Sequence, residues 1–214
     1  MAPPQVLITG FEPFGQFTTN PSQEVAEALG ARPDWHAVTL PVDFSRAVPQ
    51  MQQLVREYRP QVVLSLGLAP GREEISFERV AINLIDARIP DNTGSQPVDQ
   101  PVVPGGPSAY FTTLPVKAMC REVQDQGVEA RLSLSAGTYG CNAVMYAALH
   151  ASAPPVGPHA TSGTAAETVS RAGFIHLPPA ENLSIDSAVA AVQVAADCAL
   201  RTSTDLRVAA GAID

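Results

Sequence analysis

Val6-Leu7-Ile8-Thr9-Gly10, followed ten residues later by Asn20-Pro21-Ser22-Gln23, is the stretch on which the fold turns. The first run is short, apolar and closed by glycine, the pattern of a strand buried on both faces. The second has the residues of a helix start. Asn20 can cap, Pro21 stands at the first helical position where its missing N–H costs nothing, and Gln23 completes a capping-box pattern. Gly30 ends that helix. A buried strand leading into a helix is half of a βαβ unit, and the alternation continues downstream. Residues 36–40 read as a second strand and 45–58 as a helix with Val48, Met51, Leu54 and Val55 on one face. Residues 62–66 form a third buried strand, closed by Gly67.

Beyond that point, residues 79–85 read as one strand, and 89–107 form a long segment rich in Pro, Gly and Asp. Loops of that length in compact domains are often functional. Residues 114–126 are expected to be helical, capped by Thr113 and ended near Gly127. Residues 130–134 are a strand and 135–140 a turn, after which Cys141 opens an amphipathic helix to about Leu149. Residues 151–164 have the composition of a mobile loop. Residues 174–177 form a short strand that Pro178-Pro179 terminates, and Ser184 caps a long last helix carrying Val189, Val192 and Leu200. The expected result is a single α/β domain over residues 1–214, with a mainly parallel sheet covered on both faces.

Bulk properties narrow the function. Hydrophobic residues make up 45% of the 214, enough for a sizeable core, and the formal net charge of -8 argues against a nucleic-acid partner. No apolar run approaches the length of a membrane span, and the N-terminus lacks the basic region of a signal peptide, so a cytoplasmic protein away from membranes is expected. Cys120, Cys141 and Cys198 are odd in number and widely spaced. That spacing fits neither a disulfide framework nor a zinc site.

Cys141 follows a strand and a Gly-containing turn at the predicted start of a helix. Unpaired N–H groups and the positive dipole end there favour a thiolate, so its pKa is expected to fall, and the same amides can hold an oxyanion. A buried structural cysteine is the alternative, and it is the better reading for Cys120 and Cys198 inside helices. Of four histidines, His176 stands at a strand end, where open α/β sheets present catalytic groups, and there it can act as a base; a hydrogen-bonded core histidine is the alternative. Glu78 leads into an apolar strand, where a carboxylate is costly unless paired. It can orient an imidazole or pair with an arginine such as Arg72.

Several blocks stand in order along the chain: Thr9-Gly10-Phe11-Glu12-Pro13-Phe14-Gly15 with Asn20-Pro21; Gly67-Leu68-Ala69-Pro70-Gly71-Arg72 with Ile75-Ser76-Phe77-Glu78-Arg79-Val80-Ala81-Ile82-Asn83; Ala87-Arg88-Ile89-Pro90-Asp91-Asn92; Ser135-Ala136-Gly137-Thr138-Tyr139-Gly140-Cys141-Asn142; and Gly173-Phe174-Ile175-His176-Leu177-Pro178. Together they resemble the type I pyroglutamyl peptidases, also called pyrrolidone-carboxylate peptidases. The resemblance covers nearly the whole chain. It implies a three-layer α/β/α sandwich with a mainly parallel, partly mixed twisted sheet, and a triad of Cys141, His176 and Glu78 that cleaves the pyroglutamyl group from peptide N-termini through a thioester. It also implies no cofactor and a cytoplasmic homotetramer. Phe11 and Phe14 are expected to flank the lactam ring, with Asn20, Ile89, Tyr139 and Gly140 around the pocket. Arg88 is expected to support the oxyanion and Asp91 to hold the loop. Two positions depart from the family pattern: Leu68 stands where many members carry Gln, and Gly140 where a branched apolar residue is usual. These departures point to weaker substrate binding. They also keep two alternatives open, a binding homologue with little turnover and an amidohydrolase for another N-blocked amide.

Overall fold

The computed structural model describes residues 4–153 and 170–211. The chain runs β1 (Val6–Phe11), α1 (Pro21–Leu29), β2 (Trp35–Leu40), α2 (Phe44–Tyr58), β3 (Val62–Leu68), β4 (Ile75–Glu78), β5 (Val80–Ile82), β6 (Ala109–Phe111), α3 (Val116–Asp125), β7 (Ala130–Ser133), α4 (Gly140–Ser152), β8 (Arg171–Leu177) and α5 (Ile185–Arg201). The main sheet has the order β2-β1-β3-β8-β4-β7. β2, β1, β3 and β8 are parallel; β4 runs antiparallel to β8 and parallel to β7. The sheet is therefore mainly parallel and partly mixed, as expected. β5 and β6 form a separate antiparallel pair.

Every residue of β1 and β3 is buried, because helices cover both faces of the sheet. On one face Val6, Ile8, Leu64, Leu66, Phe77 and Ile175 pack against apolar side chains of α1, α3 and α5. On the other, Leu7, Val63 and Phe174 pack against α2 and α4. Each fully buried Leu or Val side chain contributes roughly 1.5–3 kcal/mol, so these two layers supply the main drive to fold.

The helix ends follow the sequence in part. Asn20 caps α1 by accepting from Ser22 N, and Ser184 caps α5 by accepting from Ser187 N. Gln23 does not close a capping box; its amide reaches one turn on to Glu27. Thr113 does not cap a helix either. Its hydroxyl accepts from Ala172 N, tying the chain to β8, and α3 begins later with no side-chain cap. The strand expected over 79–85 is shorter, β5 alone, and β4 just before it was not expected. β4 ends at Glu78, Arg79 N donates to Ser133 O, and the chain then leaves the main sheet to pair with β6. α4 is not amphipathic. Residues 142–149 are all buried, because the sheet, α2 and the β5–β6 pair surround it. β3 extends through Gly67 and Leu68 rather than stopping at glycine. Most of the expected 151–164 loop lies outside the described residues.

One close approach fixes where α1 meets the sheet. A Cβ on Gly10 would stand 2.1 Å from Ser22 O, a backbone atom that can yield only if α1 moves. Phe11 N donates to Ser22 Oγ across the same contact. Gly10→Ala is expected to lower unfolding stability by at least about 1–3 kcal/mol. Urea denaturation measures this; a wild-type midpoint would show that α1 is not held by that approach.

Candidate active site

α4 begins where a tight turn ends. Gly137 takes φ 79°, a value that favours glycine, and Tyr139 caps the helix in extended conformation without any side-chain cap bond. The first-turn amides of α4 are thus not occupied by a capping side chain. Asp86 N donates to Thr138 O and Thr138 Oγ1 donates to Asp86 O, pinning this turn to the segment after β5. Asn142 secures the helix itself. Its Oδ1 accepts from Ile82 N, and its Nδ2 donates to the carbonyls of Ile82 and Leu84.

Cys141 follows in the first turn, half-buried, with its sulfur directed at β3. A Cβ on Gly67 would lie 2.7 Å from Sγ and 2.7 Å from Phe174 Cζ, so glycine at 67 leaves the volume that the thiol fills. Gly67 is the register partner of His176 on β8. That pairing puts Cys141 Sγ against the strand position that faces His176.

The imidazole is held from the other side. β4 runs antiparallel to β8, with Ser76 opposite His176 and Glu78 opposite Phe174. His176 Nδ1 bonds Glu78 Oε1 at 2.8 Å, and Arg72 Nη1 bonds the same oxygen at 2.6 Å. Both readings of Glu78 open in the sequence are therefore realised together. Glu78 is fully buried and His176 nearly so. Burial alone would push the Glu78 carboxyl up, but the His176 bond and charge, with Ser133 and Arg72, outweigh it and hold it below the usual value. Burial first, and the Arg72 charge with it, push the imidazole of His176 down against the raising effect of the Glu78 bond and charge, so the ring is neutral at pH 7.

The thiol departs from expectation. Burial, then the Glu78 charge, push Cys141 up to about 12, against smaller lowering by Arg72 and the residue's own backbone N–H. The amides at the helix start do not outweigh desolvation of the sulfur. Cys120 and Cys198 are buried in α3 and α5, each pushed up to about 11 by burial, as suits core thiols.

Beside Cys141 lies a narrow slot lined by Phe11, Phe14, Asn20, Val42, Leu68, Tyr139 and Gly140. Five of the six expected pocket residues are in this lining, and Ile89 is not. Asn20 serves as cap and wall at once, its Nδ2 donating to Glu12 O. A Cβ on Gly140 would meet only Phe11, at 3.9 Å, so the glycine leaves space there. A second small apolar pocket, lined in part by Val42, Phe44, Ala47, Val48 and Ala143, adjoins it along Phe11, Tyr139 and Gly140. Arg88 and Ile89 stay exposed and line neither cavity. Asp91 braces the loop as expected: Oδ2 accepts from Phe44 N, Oδ1 from Thr93 and Ser95 N. Tyr139 OH donates to Pro90 O and its ring meets Phe44 edge-on at 5.0 Å.

Sequence reasoning missed three contributors. Gly67 read as a strand stop, although its role is to leave room for sulfur. Val42 carried no signal, since a lone valine after a strand is ordinary. Glu12 Oε1 accepts from Val42 N and from Asn92 Nδ2, joining the loops after β1, β2 and β5. Nothing in the sequence around Glu12 signals that bridge.

Comparison with known proteins identifies the family. A family model described as Pyroglutamyl peptidase matches residues 4–210. The chain is 43% identical to a pyrrolidone-carboxylate peptidase of Chromobacterium violaceum, covering 97% of this chain and 98% of that protein. It is 41% identical to one from Clavibacter michiganensis subsp. michiganensis, over 99% and 100%. Among solved structures, pyroglutamyl peptidase I from Bacillus amyloliquefaciens superposes with a TM-score of 0.83 at 34% identity, covering 98% of this chain and 100% of that one. A mutant pyrrolidone carboxyl peptidase from Pyrococcus furiosus gives 0.79 at 40% identity, over 91% and 97%. With the family model spanning nearly the whole sequence and relatives above 40% identity from end to end, the chain belongs to the pyroglutamyl peptidase family.

Proposed function

We propose that this protein hydrolyses the amide bond after an N-terminal pyroglutamyl residue, with Cys141 as nucleophile, His176 as base and acid, and Glu78 as the group that orients His176. The observation that carries this reading is the Glu78–His176 pair beside a thiol at the end of an apolar slot. Nδ1 is engaged by Glu78, which leaves Nε2 to exchange the proton. Sγ attacks the carbonyl carbon as its proton passes to His176. The C–N bond breaks as that proton goes to the departing amine, leaving a thioester on Cys141. Water then attacks the thioester and gives its proton to His176; the C–S bond breaks, and the thiol and free pyroglutamate result. The uncapped first-turn amides of α4 hold the oxyanion in both halves. No contact supports that role for exposed Arg88.

The ring is neutral, flat and compact, which suits a slot between Phe11 and Phe14. Asn20 retains one amide hydrogen for the lactam, whereas Leu68 offers no polar atom. Polar recognition in this slot is correspondingly thin. A single domain over residues 1–214 is part of the same reading, and so is a cytoplasmic homo-oligomer, a tetramer by family resemblance. The exposed Phe111, Leu134 and Val208 side chains support assembly. No described helix is long and apolar enough to cross a membrane.

A chromogenic pyroglutamyl amide, assayed beside Cys141→Ala and a thiol-alkylated sample, tests the reading. Release is expected from the native protein, with a loss of at least about 10³-fold in both controls. Well-folded native protein that releases nothing would contradict it.

The pH dependence follows from His176. Its pKa lies below 6.5, so the neutral base is present at pH 7, and activity is lost as pH falls through that lowered value. Because the thiol is pushed up to about 12, no second transition is expected between neutral pH and about pH 9. A kcat/KM profile with its acid midpoint above 7 would contradict this assignment.

A further inference from the structure

Arg72 sits in the β3–β4 connection and reaches two parts of the site with one guanidinium. Nη1 bonds Glu78 Oε1 at 2.6 Å, and Nη2 donates to Ser135 O at 3.0 Å. Ser135 begins the turn that delivers Cys141 to the start of α4. The arginine's own backbone is fixed: its N–H donates to Ala69 O, and its carbonyl accepts from Asn182 Nδ2. Its side chain is four-fifths buried. A planar fork with its donors spread is suited to spanning two acceptors at once, which a lysine ammonium does poorly.

We propose that Arg72 is a positioning residue, clamping the orienting carboxylate of Glu78 and the nucleophile-bearing turn at Ser135 into one fixed geometry. The two arrive from different parts of the chain, β4 and the β7–α4 connection, and Arg72 bonds directly to both. It touches no reacting atom; it acts through Glu78 on His176 and through Ser135 on Cys141. The charged groups that act on His176 are Glu78 from β4 and Arg72 from the β3–β4 connection, and the same two act on the thiol. Arg72 disfavours the imidazolium and so helps keep the base neutral.

The inference rests on the proposed peptidase reading, and two readouts separate their failures. Arg72→Gln is expected to lower kcat on a pyroglutamyl amide by about 10- to 100-fold with KM changed less than about 2-fold. In the same variant, the His176 titration followed by NMR should move to higher pH, since a neighbouring positive charge has gone. Arg72→Lys keeps the charge and loses the fork. It should leave that midpoint in place while still lowering kcat. Wild-type kcat and an unmoved midpoint in Arg72→Gln would overturn the proposal, even if the variant melts earlier. Should Arg72→Gln not fold, wild-type kcat in Arg72→Lys would do the same. If the native protein cleaves no pyroglutamyl amide, the functional reading falls, and the NMR midpoint in Arg72→Gln still decides whether Arg72 acts on His176.

Discussion

A fully buried carboxylate is the constraint around which this molecule is arranged. Glu78 has no solvent exposure, and an unpaired charge there would cost several kcal/mol. Its oxygen Oε1 therefore carries two partners, His176 and Arg72. Meeting that demand requires β4 to lie against β8 in antiparallel sense, which interrupts an otherwise parallel sheet. The pairing also has a chemical result. With Nδ1 bonded to a carboxylate, the imidazole's tautomer is set and its other nitrogen is left to work as a base.

Two glycines complete the arrangement by what they lack. Gly67 lets sulfur lie against the sheet next to His176, and Gly10 lets the start of α1 close on β1. The first admits the Cys141 thiol next to the strand that carries His176. The second sets Asn20 beside Phe11 and so shapes the slot. The loops above are joined by short polar bridges from Glu12, Asp91, Asn92 and Asn142, each satisfying backbone groups that an irregular segment would otherwise bury unpaired. The site is thus built on sheet ends and a helix start, and loops close it.

Much of this was legible in the sequence, and what escaped did so for physical reasons. Apolar runs ending in glycine located β1 and β3, and cap residues located α1 and α5. The family resemblance singled out Cys141, His176 and Glu78; the structure bonds His176 to Glu78 and sets Cys141 Sγ against Gly67, the register partner of His176. β4 escaped because Ser76 and Glu78 interrupt its apolar residues, although all four are buried in the sheet. α4 read as amphipathic because Asn142 and Tyr146 look like a polar face. Both are buried, bonded to carbonyls of the 82–107 region. The direction of the thiol's pKa could not be read from its place at a helix start, since desolvation depends on what packs over the sulfur. Arg88 and Ile89 belong to a motif block, yet lie exposed, because the backbone at Pro90 rather than their side chains meets the site through Tyr139.

The central claim is that buried Glu78 makes His176 an oriented, neutral base for Cys141. The most direct measurement is single-turnover kinetics of Glu78→Gln on a pyroglutamyl amide, with fold integrity checked by circular dichroism. The amide keeps the shape and removes the charge. The account predicts a folded protein whose rate of thioester formation falls by about 10²- to 10⁴-fold while substrate affinity is kept. A folded Glu78→Gln protein that acylates at the native rate would contradict it.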